Sequence, residues 1–161
     1  MKEAASSPWW RYWAPPVVWT LGIVVVSGSL GTPANTSVIF KWVLSWIASL
    51  DPKSLETSHF YFRKFLHVMC YGVLTILWLR ALMVTFPRRF RANAVIALGL
   101  SLLVALVDEG HQYLAPGRTS SWRDIGLDMT GGILFLFIYS RCWQKRNRLP
   151  AGVESPPPRT P

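Results

Sequence analysis

Residues 103–139 read LVALVDEGHQYLAPGRTSSWRDIGLDMTGGILFLFIY. Two strongly apolar runs flank a patch holding Asp108, Glu109, His111, Gln112, Arg118, Arg123, Asp124 and Asp128. The apolar runs decide the fold. Continuous hydrophobic stretches without period-two alternation form helices in lipid, because a helix satisfies its own backbone hydrogen bonds. A turn between two membrane helices needs only a few polar residues, so the excess of acids, a histidine, an amide and arginines calls for a second explanation.

The rest of the chain has the same character. Its 161 residues are 51% hydrophobic, include nine Trp and are only 16% charged, well below the roughly 25% of soluble domains. Mean hydropathy is positive. The charges cluster and leave long stretches nearly free of them, the composition of an integral membrane protein. A net charge of +9 would suit nucleic acid in a soluble chain. Here most of the excess sits beside apolar runs, where membrane topology places Lys and Arg, and no nucleic-acid partner is expected. Cys70 and Cys142 fall in or beside apolar helices near opposite faces of the bilayer. They are therefore expected not to bridge. CxxC and zinc-finger spacings are absent, and no cofactor is expected.

Working outward, four apolar segments stand out, at about 13–31, 65–86, 92–113 and 125–143. A spanning helix takes roughly 17–25 residues, which the second and fourth satisfy outright. The first opens on Pro15 and Pro16 and ends in Gly and Ser; an alternative reading makes it a signal-peptide core ending near Ser27–Ser29. Between the first two, Ser37, Lys41, Ser45 and Ser49 recur every four residues in an apolar segment with Trp42 and Trp46. That stripe predicts a helix over about 37–50, lying in the outer interface or packed over the spans. The expected fold class is an all-α membrane protein: a four-span helical bundle with an additional interfacial helix between spans 1 and 2. The domain division is a cytoplasmic N-terminus at 1–12, a transmembrane domain at 13–143, and a disordered, basic and Pro-rich tail at 144–161.

Lys/Arg asymmetry sets the orientation. Of the 17 basic residues, eleven fall on the side shared by the N-terminus, the second-to-third loop and the C-terminus, and six fall opposite. Both termini are therefore expected in the cytoplasm, with the polar patch at the outer face. Trp9, Trp10, Trp13 and Trp143 on one side, with Trp122 and Tyr61 on the other, fit aromatic belts.

Three helix ends then present complementary groups at one depth. Lys64, His67 and Tyr71, spaced by three and four, share a face at the start of the second span. At the end of the third, Gln112 lies four residues from Asp108 and three from Glu109. Asp124 and Asp128 open the fourth, followed by Gly131 and Gly132, which allow close helix approach. A buried carboxylate at a membrane boundary is costly unless paired. Lys64 and Arg118 supply the opposite charge, Arg118 by a two-pronged contact with Glu109 or Asp124. Ser120 or Ser121 is expected to cap the fourth helix. The candidate binding residues are Lys64, His67, Tyr71, Glu109, Gln112, Arg118, Asp124 and Asp128.

Four readings of this set stand side by side. One is a structural clasp that pins three helix ends. Another is a site for the anionic or polar head of a membrane lipid or lipid-linked cell-wall precursor, with Arg118, Lys64 and His67 on the anion and Glu109, Gln112 and Asp124 holding them. A third is a membrane enzyme with His67 as general acid/base, Glu109 or Asp124 orienting it, and no evident nucleophile. The fourth is a small transporter or flippase using Asp128. His67, Glu109 and Asp128 show no recognised metal-ligand spacing, and no metal is expected.

The ordered set resembles the VanZ-like family of bacterial integral membrane proteins. That family's pattern has Lys-x-x-His followed four residues later by Tyr, matched by Lys64, His67 and Tyr71. An acidic-x-x-Gln, a Pro-Gly-Arg turn, a Ser, and an Asp opening a Gly-rich last span follow. They are matched by Glu109, Gln112, Pro116, Gly117, Arg118, Ser121, Asp124, Gly131 and Gly132. Where the family usually carries Asn, this chain has Asp128. The resemblance implies a multi-span helical domain in the bacterial inner membrane and a role in the cell envelope. Through the family's namesake it also implies an association with antibiotic resistance, specifically susceptibility to the glycopeptide teicoplanin.

Overall fold

The computed structural model describes residues 8–27, 32, 36–38, 40–42, 51–114 and 121–147. Every regular element among them is helical: α1 (Trp10–Ser27), α2 (Pro52–Thr85), α3 (Phe90–Leu114) and α4 (Trp122–Asn147). Residues 36–38 and 40–42 are also helical; the remainder of the helix expected over 37–50 lies outside the described residues.

α2 begins where local chemistry dictates. Asp51 is the N-cap and accepts from the Ser54 backbone N–H at 3.1 Å, with Pro52 in the first turn. Hydrogen bonds from Ser54, the side chain first, hold the exposed Asp51 carboxyl below its usual range. The helix starts thirteen residues ahead of the expected span because nothing from Lys53 to Lys64 breaks it. At about 1.5 Å per residue it is roughly 51 Å long, well beyond a ~30 Å hydrocarbon core. The extension receives the 36–42 segment: His59 Nε2 lies 3.1 Å from Thr36 Oγ1, and Phe40 packs on His59 and Phe62 with ring centroids 5.2 Å apart in both pairs. The helix stops at Phe86, the residue before Pro87. Arg88 then turns the chain with φ 69°. Asn93 of α3 clasps this turn by donating to the Phe86 carbonyl at 2.8 Å.

α2 is the hub, packing against α1, α3 and α4, most extensively against α4. Glycine makes that contact close. A Cβ on Gly131 would run into the Val68 backbone carbonyl, and one on Gly132 would stand 2.8 Å from Thr75 Oγ1. α1 runs antiparallel to α2, stitched by Trp13 Nε1 donating to Thr85 Oγ1 at 3.1 Å and Trp19 Nε1 to the Cys70 carbonyl at 3.0 Å. Pro15 and Pro16 lie inside α1. Near the helix start their missing N–H groups leave only the carbonyls of the first turn unbonded, so the helix runs through them.

The bundle is apolar outside and partly polar inside. Val95, Leu103, Val107, Ile133 and Phe137 are exposed, whereas Thr75, Asn93, Ser101, Asp108 and Asp128 are buried. The apolar core is small, built on Leu79, Leu82, Ala97 and Leu136 with a second group of Tyr71, Leu74 and Ala105. In lipid, hydrophobic burial does not drive helices together. Close van der Waals packing and interhelical hydrogen bonds do, such as the 2.8 Å contact of Thr75 Oγ1 with Ser101 Oγ. Among the described residues, three helices are long and apolar enough to cross a membrane: Pro52–Thr85, Phe90–Leu114 and Trp122–Lys145. α1, at 18 residues with Arg11 and two prolines, is not among them.

Candidate functional site

The middle of α2, the C-terminal end of α3 and the N-terminal end of α4 converge on one polar cluster. Lys64 forms an ion pair with Asp124. One turn further, His67 Nδ1 lies 3.0 Å from Asp128 Oδ1. One more turn along α2, the Tyr71 hydroxyl donates to Asp108 Oδ2 at 3.4 Å, and Gln112 Nε2 donates to the same oxygen at 3.0 Å. The i, i+3 and i, i+4 spacing on α2 thus becomes a ladder, each rung meeting a carboxylate from another helix. The rungs on α4 are reachable because Gly131, one turn beyond Asp128, seats α4 against the α2 backbone at Val68.

Glu109 does different work. Its Oε2 accepts from the Ser121 backbone N–H at 2.8 Å, so the end of α3 holds the start of α4. Ser121 caps α4, its Oγ accepting from Arg123 N at 3.2 Å, and Asp124 in the first turn suits the positive end of the helix dipole.

Three carboxylate oxygens in the cluster, Asp108 Oδ1, Glu109 Oε1 and Asp128 Oδ2, are buried with no hydrogen-bond partner among the described residues. Their side chains belong to residues at most 3% exposed. A buried acceptor left unmet costs about 1–3 kcal/mol, more when charged. Beside the cluster, between α1 and α2, lies a cleft of about 470 Å³. Val18, Trp19, Gly22, Ile23 and Val26 form its α1 wall, and Arg63, Leu66, His67, Cys70 and Tyr71 its α2 wall. Asp108 reaches it from α3. An apolar trough with a few convergent polar groups is the form of a small-molecule site.

Seven of the eight candidate residues come together: Lys64, His67, Tyr71, Glu109, Gln112, Asp124 and Asp128. Arg118 lies outside the described residues, as do Pro116, Gly117 and Ser120. The two cations expected on an anion, Lys64 and His67, each already face a carboxylate. His111 is exposed on α3. The residue missing from the expected binding set is Asp108, which accepts from two helices and also lines the cleft. Its signal was present in the i, i+4 pairing with Gln112. Cys70 and Cys142 are free thiols. Among the described residues no group of three or more His, Cys, Asp or Glu is placed to hold a metal ion.

No curated protein and no solved structure matches the chain. The profile of the VanZ/LLP1 family matches residues 16–143, about four-fifths of the sequence and every described element of the cluster. With its three membrane-capable helices, this chain is a membrane protein that belongs to the VanZ/LLP1 family.

Proposed function

We propose that the chain is a four-span protein of the bacterial inner membrane with both termini in the cytoplasm, and that its polar cluster and adjoining cleft bind the head group of a membrane lipid or lipid-linked envelope precursor. On this reading residues 13–143 form the membrane domain, α1 is the first span, and the 37–50 helix rests in the outer interface. The observation that carries the proposal is the cleft itself. Its α1 wall is apolar along Val18, Ile23 and Val26, while His67, Tyr71 and Asp108 add polar groups to its lining. An apolar wall facing a few buried polar groups matches an amphiphile, with chain and head recognised by different walls. On this reading Arg118, four residues before the start of α4 in the sequence, contacts the anionic part of the head group.

The test has two parts. Single cysteines introduced at positions 67 and 118, in a background without Cys70 and Cys142, are expected to label from the outer side only. Opposite-side labelling would overturn the topology. Lipid co-purifying with the full chain is expected to fall in Arg118→Ala and in a Gly22→Trp variant that fills the cleft, at unchanged membrane abundance. Collapse of abundance in Arg118→Ala would instead assign the cluster to clasping helices. Altered teicoplanin susceptibility on deletion of the gene is the expected envelope consequence, read as an inhibitory concentration.

A second reading is a membrane enzyme acting on a lipid-linked substrate with His67 as general acid/base. One observation favours it: His67 lines the cleft while its Nδ1 rests on Asp128, the arrangement of a base held by an orienting carboxylate. Turnover of labelled lipid-linked precursors that is lost in His67→Ala and kept in His111→Ala would establish it.

A further inference from the structure

We propose that the head group taken by the α1–α2 cleft carries a primary ammonium, which donates to the buried carboxylate of Asp108. This rests on the cleft being a lipid site and adds the chemical class of its occupant.

The first support is an unmet acceptor in the right place. Asp108 is 1% exposed, lines the cleft, and has an Oδ1 without a hydrogen-bond partner among the described residues. Its other oxygen is already met twice, by Tyr71 and Gln112, so the side chain is fixed and Oδ1 is the oxygen left for a further donor.

The second is charge. Asp108, Glu109, Asp124 and Asp128 converge, and the described basic side chains that meet them, Lys64 and His67, face Asp124 and Asp128. Asp108 and Glu109 have no ion pair among the described residues. An ammonium brings a positive charge and three N–H donors in one compact group. A sugar brings donors without charge. A purely acidic head would set anion against anion in a medium where the penalty is least screened.

The third is the neighbouring wall. Arg63 lines the same cleft one helical turn before His67, so the cleft wall carries positive as well as negative charge. Val18, Ile23 and Val26 give the cleft the apolar wall that an acyl chain requires.

The experiment presents the purified full chain in detergent with equimolar dioleoyl phosphatidylethanolamine, its N-acetylated form and dioleoyl phosphatidylglycerol, and counts bound lipid by native mass spectrometry. Phosphatidylethanolamine is expected to exceed both others by roughly tenfold, the ratio one charge-assisted hydrogen bond produces, and Asp108→Asn is expected to level the three. Equal binding of the amine and its N-acetylated form to the unaltered protein overturns the proposal, and that comparison needs no variant to fold. The Gly22→Trp variant tells the two levels apart. If it loses every lipid while the parent shows no amine preference, the cleft stands and the ammonium falls. If it loses none, the cleft reading falls as well.

Discussion

His67 and Asp128 meet at 3.0 Å across the α2–α4 contact, the aspartate wholly buried and the histidine at the edge of the cleft. The pair depends on Gly131 one turn further along α4, which lets the two backbones approach at Val68.

Replacing Asp128 separates charge from shape. Asp128→Asn keeps the volume and a neutral hydrogen bond to His67, so a loss of about 1 kcal/mol is expected. Asp128→Ala removes the partner and leaves a void, and about 3 kcal/mol is expected. Thermal unfolding in detergent measures the order. Equal losses would mean that the negative charge, not the contact, matters to stability.

Gly131 and Gly126 lie on the same helix in opposite circumstances. A Cβ at Gly131 meets the Val68 carbonyl, a backbone atom that cannot swing aside, whereas one at Gly126 meets nothing within 4 Å. Gly131→Ala is expected to destabilise by about 2 kcal/mol or more through overpacking. Gly126→Ala should be neutral or slightly stabilising, since alanine is the better helix former. Melting temperatures followed by size-exclusion chromatography after heating would show both; a tolerated Gly131→Ala contradicts the close α2–α4 contact.

Thr75 and Ser101 form a buried hydroxyl pair at 2.8 Å, while Thr75 also donates back to the Tyr71 carbonyl at 2.8 Å. A double-mutant cycle with Thr75→Val and Ser101→Ala should give a coupling of about 0.6 kcal/mol, the size usual between membrane helices. Zero coupling would mean that the local bond to Tyr71 satisfies Thr75 by itself.

Asp51 makes the start of α2 pH-sensitive. Its folded carboxyl lies below the ordinary value of 3.8 because Ser54 hydrogen-bonds the charged form. The cap's contribution is therefore fully present above that value and disappears as pH falls through the lower, folded one. Amide exchange in residues 52–58 should speed up selectively in that acid window while α3 stays protected. Uniform behaviour of the two helices would exclude a local cap effect.

Much of the architecture was legible in the chain because lipid leaves few choices. Apolar runs near 65–86, 92–113 and 125–143 have to become helices, and α2, α3 and α4 contain them. Their ends were less legible. α2 reaches back to Pro52 and α4 on to Asn147, four residues into the stretch expected to be a disordered tail, because capping and the absence of breakers, not hydropathy, set helix ends. α1 begins at Trp10, ahead of its prolines, since position within the first turns sets what a proline costs.

For the cluster, spacing along each helix was enough to place Lys64, His67 and Tyr71 on one face, Asp124 with Asp128, and Gln112 beside Asp108, because a helix's geometry is local. Which carboxylate meets which partner was not in that periodicity. Asp124 to Lys64, Asp128 to His67 and Asp108 to Tyr71 follow from the depth and rotation of three helices packed through Gly72, Gly131 and Gly132. The cleft that leaves Asp108 facing α1 is likewise a product of that packing. Sequence alone determined the kind of element and the chemistry each one carries, since an unbroken apolar run without period-two alternation satisfies its backbone in lipid as a helix. Tertiary structure decided the pairing and the cavity, since both depend on distances between residues as far apart in the chain as 67 and 128.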